Sequence, residues 1–412
     1  MIRRGTVACL GLSQLISWGI SYYLIGLFGD AITSDLHWTP DVVYGGFAWA
    51  LLVMGLTSPL VGWMIDRRGG RTAMVTGSLL NALGCVGLAL CTGPKAYYVA
   101  WTCLGFGMRL TLYDAAFAAL ARVGGPQARS PMSQITLLGG LASTAFWPLG
   151  QALADVFGWR GALLTYAGFA LLTVPLHMVI PNSRYDEVAP SHDEPKHVPL
   201  VTDRRNIALA GGLYAIIVTV ANFLNAAMSS HMIPILSGLG VAGALAVWIS
   251  TLRGIGQSLA RGGEILFGRH LNPLTLNLTA CVLLPFAFVI GLLSGKFDIA
   301  AIVFAFAYGA ANGLLTIVRG TLPLALFDHR TYGTFVGKLL VPGFILPAAA
   351  PLAYALIIAR FKSAGALYFS IAAAFLALAS AVLLVIKFAH RLDSRRASAP
   401  TSVAAHNLRG PK

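Results

Sequence analysis

Charge is scarce in this chain. Of 412 residues only 11% are Asp, Glu, Lys or Arg, and 15 residues in all are acidic. Soluble domains carry roughly 25% charged residues, so a water-soluble enzyme of this length would lack the polar surface to cover its core. Histidine (9) and cysteine (5) are also few. Cys9, Cys85, Cys91, Cys103 and Cys281 lie in or beside apolar runs at spacings that suit no zinc site. They are expected to be small buried hydrophobes, and no metal or cofactor is expected. Facing sets of nucleophile, histidine and acid at membrane depth are missing, as is a G-x-x-x-x-G-K-[ST] phosphate loop. Neither an enzyme nor an ATP-driven pump is expected. No basic run interleaved with aromatics lies outside the apolar segments, so nucleic acid is not an expected partner. The longest polar stretch is also too short for a receptor's soluble output domain.

What the chain has instead is apolar sequence: 57% hydrophobic residues and a mean hydropathy of +0.74. A bilayer core needs ~20 mostly apolar residues per helix. Cuts at charged and Gly/Pro-rich breaks predict six spans near 6–29, 42–64, 72–92, 97–121, 132–154 and 161–180. Six more follow near 207–229, 241–266, 273–294, 298–320, 335–358 and 364–388. The expected fold is an all-α membrane protein of twelve transmembrane helices in two six-helix bundles. The bundles cover residues 1–180 and 207–390, with a polar cytoplasmic linker at 181–206 and a flexible cytoplasmic tail at 391–412. Met1-Ile2-Arg3-Arg4 and the run after it are too long for a signal peptide and resemble a first span with a positive flank. Arg67, Arg68, Arg71, Arg122, Arg129, Arg184, Lys196, Arg204, Arg205, Arg269 and Arg330 fall on one side; Lys95, Arg160, Lys296, Arg360 and Lys362 fall on the other. The positive-inside rule then places both termini in the cytoplasm, in a bacterial inner membrane. A lipid-embedded monomer is expected. Two six-helix halves joined by a polar linker is the layout of secondary transporters, whose site lies near midplane between the halves.

Between spans 2 and 3 stands GWMIDRRGGR, Gly62 to Arg71. Gly62 permits close helix approach. Asp66, near a helix end, can accept from backbone N–H groups and pair with arginine in one conformation. Arginines anchor the loop at the interface, and Gly69-Gly70 permits a tight turn. Gly62, Asp66, Arg67, Gly69 and Arg71 resemble the loop motif G-x-x-x-D-[RK]-x-G-[RK]-[RK] of the major facilitator superfamily, with Gly70 where a basic residue is usual. The resemblance implies the two-bundle fold, alternating access, and a gating role for those five residues. Within the superfamily, SWGISYYLIGLF in span 1, LHWTP after it and SLARGG in span 8 resemble the monocarboxylate and oxalate/formate porter branch. There a span-8 pattern D-x-x-x-A-R binds the substrate carboxylate. Its Arg falls on Arg261, and Gln257 stands in place of its Asp.

Charge at membrane midplane costs about 2.5–3.5 kcal/mol on insertion scales, which makes such residues functional candidates. Arg253, Gln257 and Arg261 recur four apart in span 8, and Glu264 lies one turn beyond Arg261, where it can pair with it or titrate. In span 4, Arg109 shares a helical face with Tyr113, and Asp114 points about 140° away as a candidate protonation switch. A guanidinium in low dielectric offers a bidentate fork to a carboxylate; the alternative for Arg109 is a pair with an acid on another helix. Asn222 and Asn225 of span 7, Tyr308 and Asn312 of span 10, and Gln14, Trp18 and Tyr22 of span 1 form polar-aromatic stripes on helices expected to line a cavity. Arg319 and Lys338 are expected to snorkel near cytoplasmic ends, and Pro342, Pro347 and Pro351 to kink span 11. The expected function is alternating-access transport of a small, monocarboxylate-like organic anion, with a proton as possible coupling partner. The runner-up is an amphipathic cargo such as a drug, a vitamin like riboflavin, or an arsenical.

Overall fold

The structure, a computed structural model, describes residues 2–185, 199–267 and 271–397. Among these residues every regular element is a helix. The first bundle holds α1 (Arg4–Ser17), a π-turn (Trp18–Tyr22) and α2 (Leu24–Leu36), then α3 (Pro40–Arg68), α4 (Gly70–Leu90), α5 (Pro94–Thr111) and α6 (Tyr113–Gly124). It ends with α7 (Arg129–Gly140) and α8 (Ala142–Met178). The second bundle holds α9 (Arg204–Gly238), α10 (Gly243–Phe267), α11 (Pro273–Gly291), α12 (Asp298–Leu326), α13 (Tyr332–Leu339) and α14 (Val341–Ala397).

These elements make twelve spans because several of them are bent or shared. α8 turns back on itself at Gly158 (φ 66°) and α14 at Lys362 (φ 61°), so each contributes parts of two spans. Span 4 is broken at Leu112, whose backbone is extended, into α5 and α6. Span 11 is broken at Leu340, just ahead of Pro342, which has no N–H to donate to a continuing helix. Eight stretches are long and apolar enough to cross a membrane, two of them (Pro94–Met178 and His329–Ala389) containing several spans. α10 is not among them and carries Arg253, Arg261 and Glu264.

The two bundles repeat one packing plan. In the first, α5 packs on α3 and α4, and α4 on α8; in the second, α12 packs on α10 and α11, and α11 on α14. Contact between bundles runs along α3 against α13 and α14, and along α7 against α10. Two boundaries differ from expectation. The last helix continues to Ala397, into the segment expected to be a flexible tail. At the end of the linker, Leu200 and Val201 are buried, and their N–H groups donate to the Ala325 and Leu326 carbonyls at 3.4 and 3.1 Å. Residues 186–198 of the linker, Gly268–His270 and the tail from 398 lie outside the described residues.

Candidate functional site: a polar seam between the bundles

The seam begins at the loop motif. A Cβ on Gly62 would overlap the Gly333 carbonyl, and one on Gly337 would meet the Ser58 carbonyl at 2.6 Å, so α3 and α13 approach backbone to backbone across the bundles. This contact brings Asp66 onto the first turn of α13. Its Oδ1 accepts from the Gly333 N–H at 3.0 Å, and its Oδ2 accepts from the Thr334 N–H at 2.6 Å and the Thr334 hydroxyl at 2.7 Å. A carboxylate on free N–H groups at a helix N-terminus is favoured both by hydrogen bonding and by the helix dipole. Gly69 has φ 90°, a conformation glycine adopts freely. Gly70 packs where a Cβ would overlap Ala119 of α6, which accounts for the missing basic residue. Arg71 donates to the Ile180 carbonyl at 2.7 Å, Arg122 donates to the Asp66 carbonyl, and exposed Arg67 lies over the Trp63 ring at 5.1 Å.

Above this contact, charged groups cross between bundles. Arg319 of α12 donates to Asp114 of α6 at 2.6 Å, with side-chain exposures of only 15% and 9%. Arg319 therefore does not snorkel. Its guanidinium also reaches Asn222 Oδ1 at 3.5 Å, lies over the Phe344 ring at 5.3 Å, and lines a small cavity with Tyr214, Asn222, Asn312 and Thr316. Glu264 does not pair with Arg261. It faces Arg129 of α7 at 3.7 Å, while Arg261, 2% exposed, donates to the Thr136 carbonyl of α7 and the Thr316 hydroxyl of α12, both at 3.1 Å. Tyr113 donates to the same Thr136 carbonyl at 3.1 Å. Gly140 leaves room beside them for the Arg261 guanidinium, whose tip a Cβ there would displace.

Arg109 departs most from expectation. It is 3% exposed and held by Ser58 of α3, donating to its hydroxyl at 3.0 Å and its carbonyl at 3.2 Å. The break at Leu112 ends the helical register, so the face shared by Arg109 and Tyr113 does not exist, and Asp114 turns toward the second bundle instead. Gln14 also leaves its expected stripe: its side chain is buried and donates to the Thr111 carbonyl at 2.7 Å, a group freed by the same break.

A second polar cluster joins four of the expected residues. Arg253 of α10 donates to Asn225 Oδ1 at 2.6 Å and Ser229 Oγ at 2.9 Å, both on α9, and lies over the Tyr308 ring at 5.5 Å. Asn312 donates to the same Asn225 oxygen at 2.9 Å. Arg253 is half-buried, and no acidic side chain pairs with it among the described residues. Asn222 points instead to the Gly343 carbonyl of α14, at 2.9 Å. Gln257 is half-buried, and its backbone abuts Gly313 where α10 and α12 meet. Tyr22 of the first bundle lies among rings instead, 4.8 Å from Trp18 and edge-on to Phe47 at 5.1 Å between centroids.

Sequence reasoning missed Arg319 and the α13 turn at Gly333 and Thr334. Arg319 carried a signal, since it falls inside an apolar span. The α13 turn carried none, because its function is to receive a carboxylate from a distant loop.

Two six-helix bundles joined by polar and backbone contacts have the layout of membrane transporters of the secondary type. Residues 10–337 match the family model described as Major Facilitator Superfamily, and the chain belongs to that superfamily. Its relatives include monocarboxylate transporter 4 of Rattus norvegicus, 24% identical over 327 residues, covering 75% of this chain and 65% of the relative. Monocarboxylate transporter 1 of Rattus norvegicus is 24% identical over 173 residues, covering 40% of this chain; the match spans 33% of that relative's length. Among solved structures, the human organic anion transporter MFSD10 (TETRAN) superposes with a TM-score of 0.68 at 17% identity, covering 92% of this chain and 100% of the other. The proton:xylose symporter XylE superposes with a TM-score of 0.72 at 13% identity, over 93% and 94%.

Proposed function

We propose that this transporter carries a small organic anion of the monocarboxylate type, with Arg253 as its anchor. The observation that carries the reading is a half-buried guanidinium held by neutral partners, Asn225, Ser229 and the Tyr308 face. A charged group in a low-dielectric site wants a counter-ion, and a carboxylate cargo supplies one. The relatives named monocarboxylate transporters and the neighbour named an organic anion transporter support the same cargo class.

In this reading the bundles 1–180 and 207–390 rock about the midplane, and the sealed end bearing the Gly62–Arg71 loop faces the cytoplasm of a bacterial inner membrane. Its excess of Arg and Lys favours that orientation. Each chain holds its own cavity and works as a monomer. Asp114, held by Arg319 across the closed seam, is the residue we assign to coupling, because opening the bundles takes its cation away. Arg109 positions α3 against α5 rather than touching cargo, and Arg261 joins α10 to α7.

The test is Arg253→Gln in purified protein, with carboxylate binding followed by calorimetry and uptake in proteoliposomes. Loss of charge-assisted bonds worth about 1.5–3 kcal/mol should weaken Kd by roughly 10- to 150-fold, with partial rescue in Arg253→Lys. Unchanged affinity in Arg253→Gln would remove the anchor and the anionic cargo with it.

A further inference from the structure

The cavity that Arg319 borders has a volume of ≈ 30 Å³, and every residue lining it belongs to the second bundle. Val218, Ala221 and Asn222 come from α9, and Leu315, Thr316 and Arg319 from α12. At ~10–15 Å³ per water the space takes about two waters, or the two oxygens of one carboxylate. Val218, Ala221 and Leu315 give it a buried apolar wall, and Arg319 is its one charged residue. The Tyr214 hydroxyl donates to the Arg319 carbonyl at 2.7 Å and ties the two helices together beside it.

Arg319 meets this cavity with most of its donors unspent. A guanidinium carries five N–H donors in a fork that fits both oxygens of a carboxylate. Here Nη2 donates to Asp114 Oδ2 at 2.6 Å, the Nη1 contact with Asn222 is long at 3.5 Å, and Nε has no hydrogen-bond partner. Asp114 thus occupies one corner of the fork.

The ion pair and the cavity part company when the bundles move. Asp114 stands on α6 and leaves with the first bundle, whereas the cavity is built by α9 and α12 and stays with Arg319. A buried guanidinium that loses its carboxylate is stranded at high cost. A carboxylate seated in the cavity removes that cost, because one anion takes over from another. We infer that this cavity is a second carboxylate station, at which cargo replaces Asp114 as the partner of Arg319. Without cargo Arg319 keeps Asp114 and the seam stays closed; with cargo the pair is released. This rests on the carboxylate reading of the transporter and adds a site to it. Asn312, which lines the cavity and shares the Asn225 oxygen with Arg253, joins the station to the anchor.

The test follows acetate binding by calorimetry to full-length protein in lipid nanodiscs. If cargo and Asp114 compete for one guanidinium, Asp114→Asn removes the competitor, and acetate should bind roughly 10-fold tighter or more. Asp66→Asn loosens the seam at the α3–α13 contact, away from the cavity, and should give no such gain. The gain should vanish when Arg319→Gln is added to Asp114→Asn. It should vanish equally when Ala221→Leu is added, since the leucine fills the cavity and keeps the guanidinium. Using both double variants guards against one failing to fold. No gain in Asp114→Asn, an equal gain in Asp66→Asn, or a gain that survives in either folded double variant overturns the station. If Arg253→Gln still weakens acetate binding in that case, the carboxylate reading stands without it. If the unaltered protein binds no acetate, the carboxylate reading fails and takes this inference with it.

Discussion

Removing the Asp114 carboxylate tests whether charge holds the seam shut. In the closed arrangement Asp114 and Arg319 meet at 2.6 Å with little solvent access. Deleting one member of a buried ion pair costs about 3–5 kcal/mol, mostly because the other charge is stranded. Arg319 is only partly stranded here, since it keeps Asn222 at 3.5 Å and the Phe344 ring at 5.3 Å. Asparagine also retains one acceptor oxygen. The expected cost to the closed state in Asp114→Asn is thus about 1.5–3 kcal/mol, a shift of roughly 10- to 150-fold toward the open arrangement. Spin labels at the exposed positions Arg68 and Arg205, on opposite bundles, would record it as a longer distance population. Arg319→Gln should produce a similar shift, and the double variant should be no worse than the worse single one, because the lost interaction is shared. An unchanged distance distribution in both single variants, or strict additivity in the double, would refute the pair's role.

Two more perturbations follow from neighbouring contacts. Asp66→Asn leaves one oxygen to cover two N–H groups and a hydroxyl on α13; transport should fall severely while membrane expression persists, and unchanged flux in proteoliposomes would remove the loop's gating role. Asn312→Leu removes the amide that shares Asn225 with Arg253; carboxylate binding should then no longer change the spin-label distance between the bundles, and a full ligand-induced change would refute the link.

Some of this was legible without coordinates, for physical reasons. Gly62 and Asp66 stood out because a glycine four residues before a buried carboxylate has few uses besides close approach and capping. Arg253 stood out as a charge well inside the expected span 241–266. Arg109 misled because helical arithmetic was carried through Leu112, and neither proline nor glycine marks the break there. Glu264 was given the nearest cation in its own helix, yet the fold supplies Arg129 from α7, and the Arg261 donors go to a carbonyl and a hydroxyl. The partner of Asp114 lies 205 residues along the chain, a distance at which single-helix periodicity carries no information.

The seam and the anchor are joined by one run of hydrogen bonds. Arg253 donates to Asn225, Asn312 donates to the same oxygen, the Thr316 hydroxyl donates to the Asn312 carbonyl, and Arg261 donates to Thr316 and across to Thr136 of the other bundle. A carboxylate that draws Arg253 from Asn225 therefore perturbs a chain whose far end is a bond between bundles. The energetic scale is suited to this. Moving a two-state equilibrium from 1:99 to 99:1 takes about 5.5 kcal/mol of differential binding, and each charge-assisted bond in the seam is worth about 1.5–3 kcal/mol. A few of them account for the whole switch. A broad apolar seam would be too costly to open for any cargo of this size; directional polar bonds between glycine-spaced helices are strong enough to hold one state and few enough to release it.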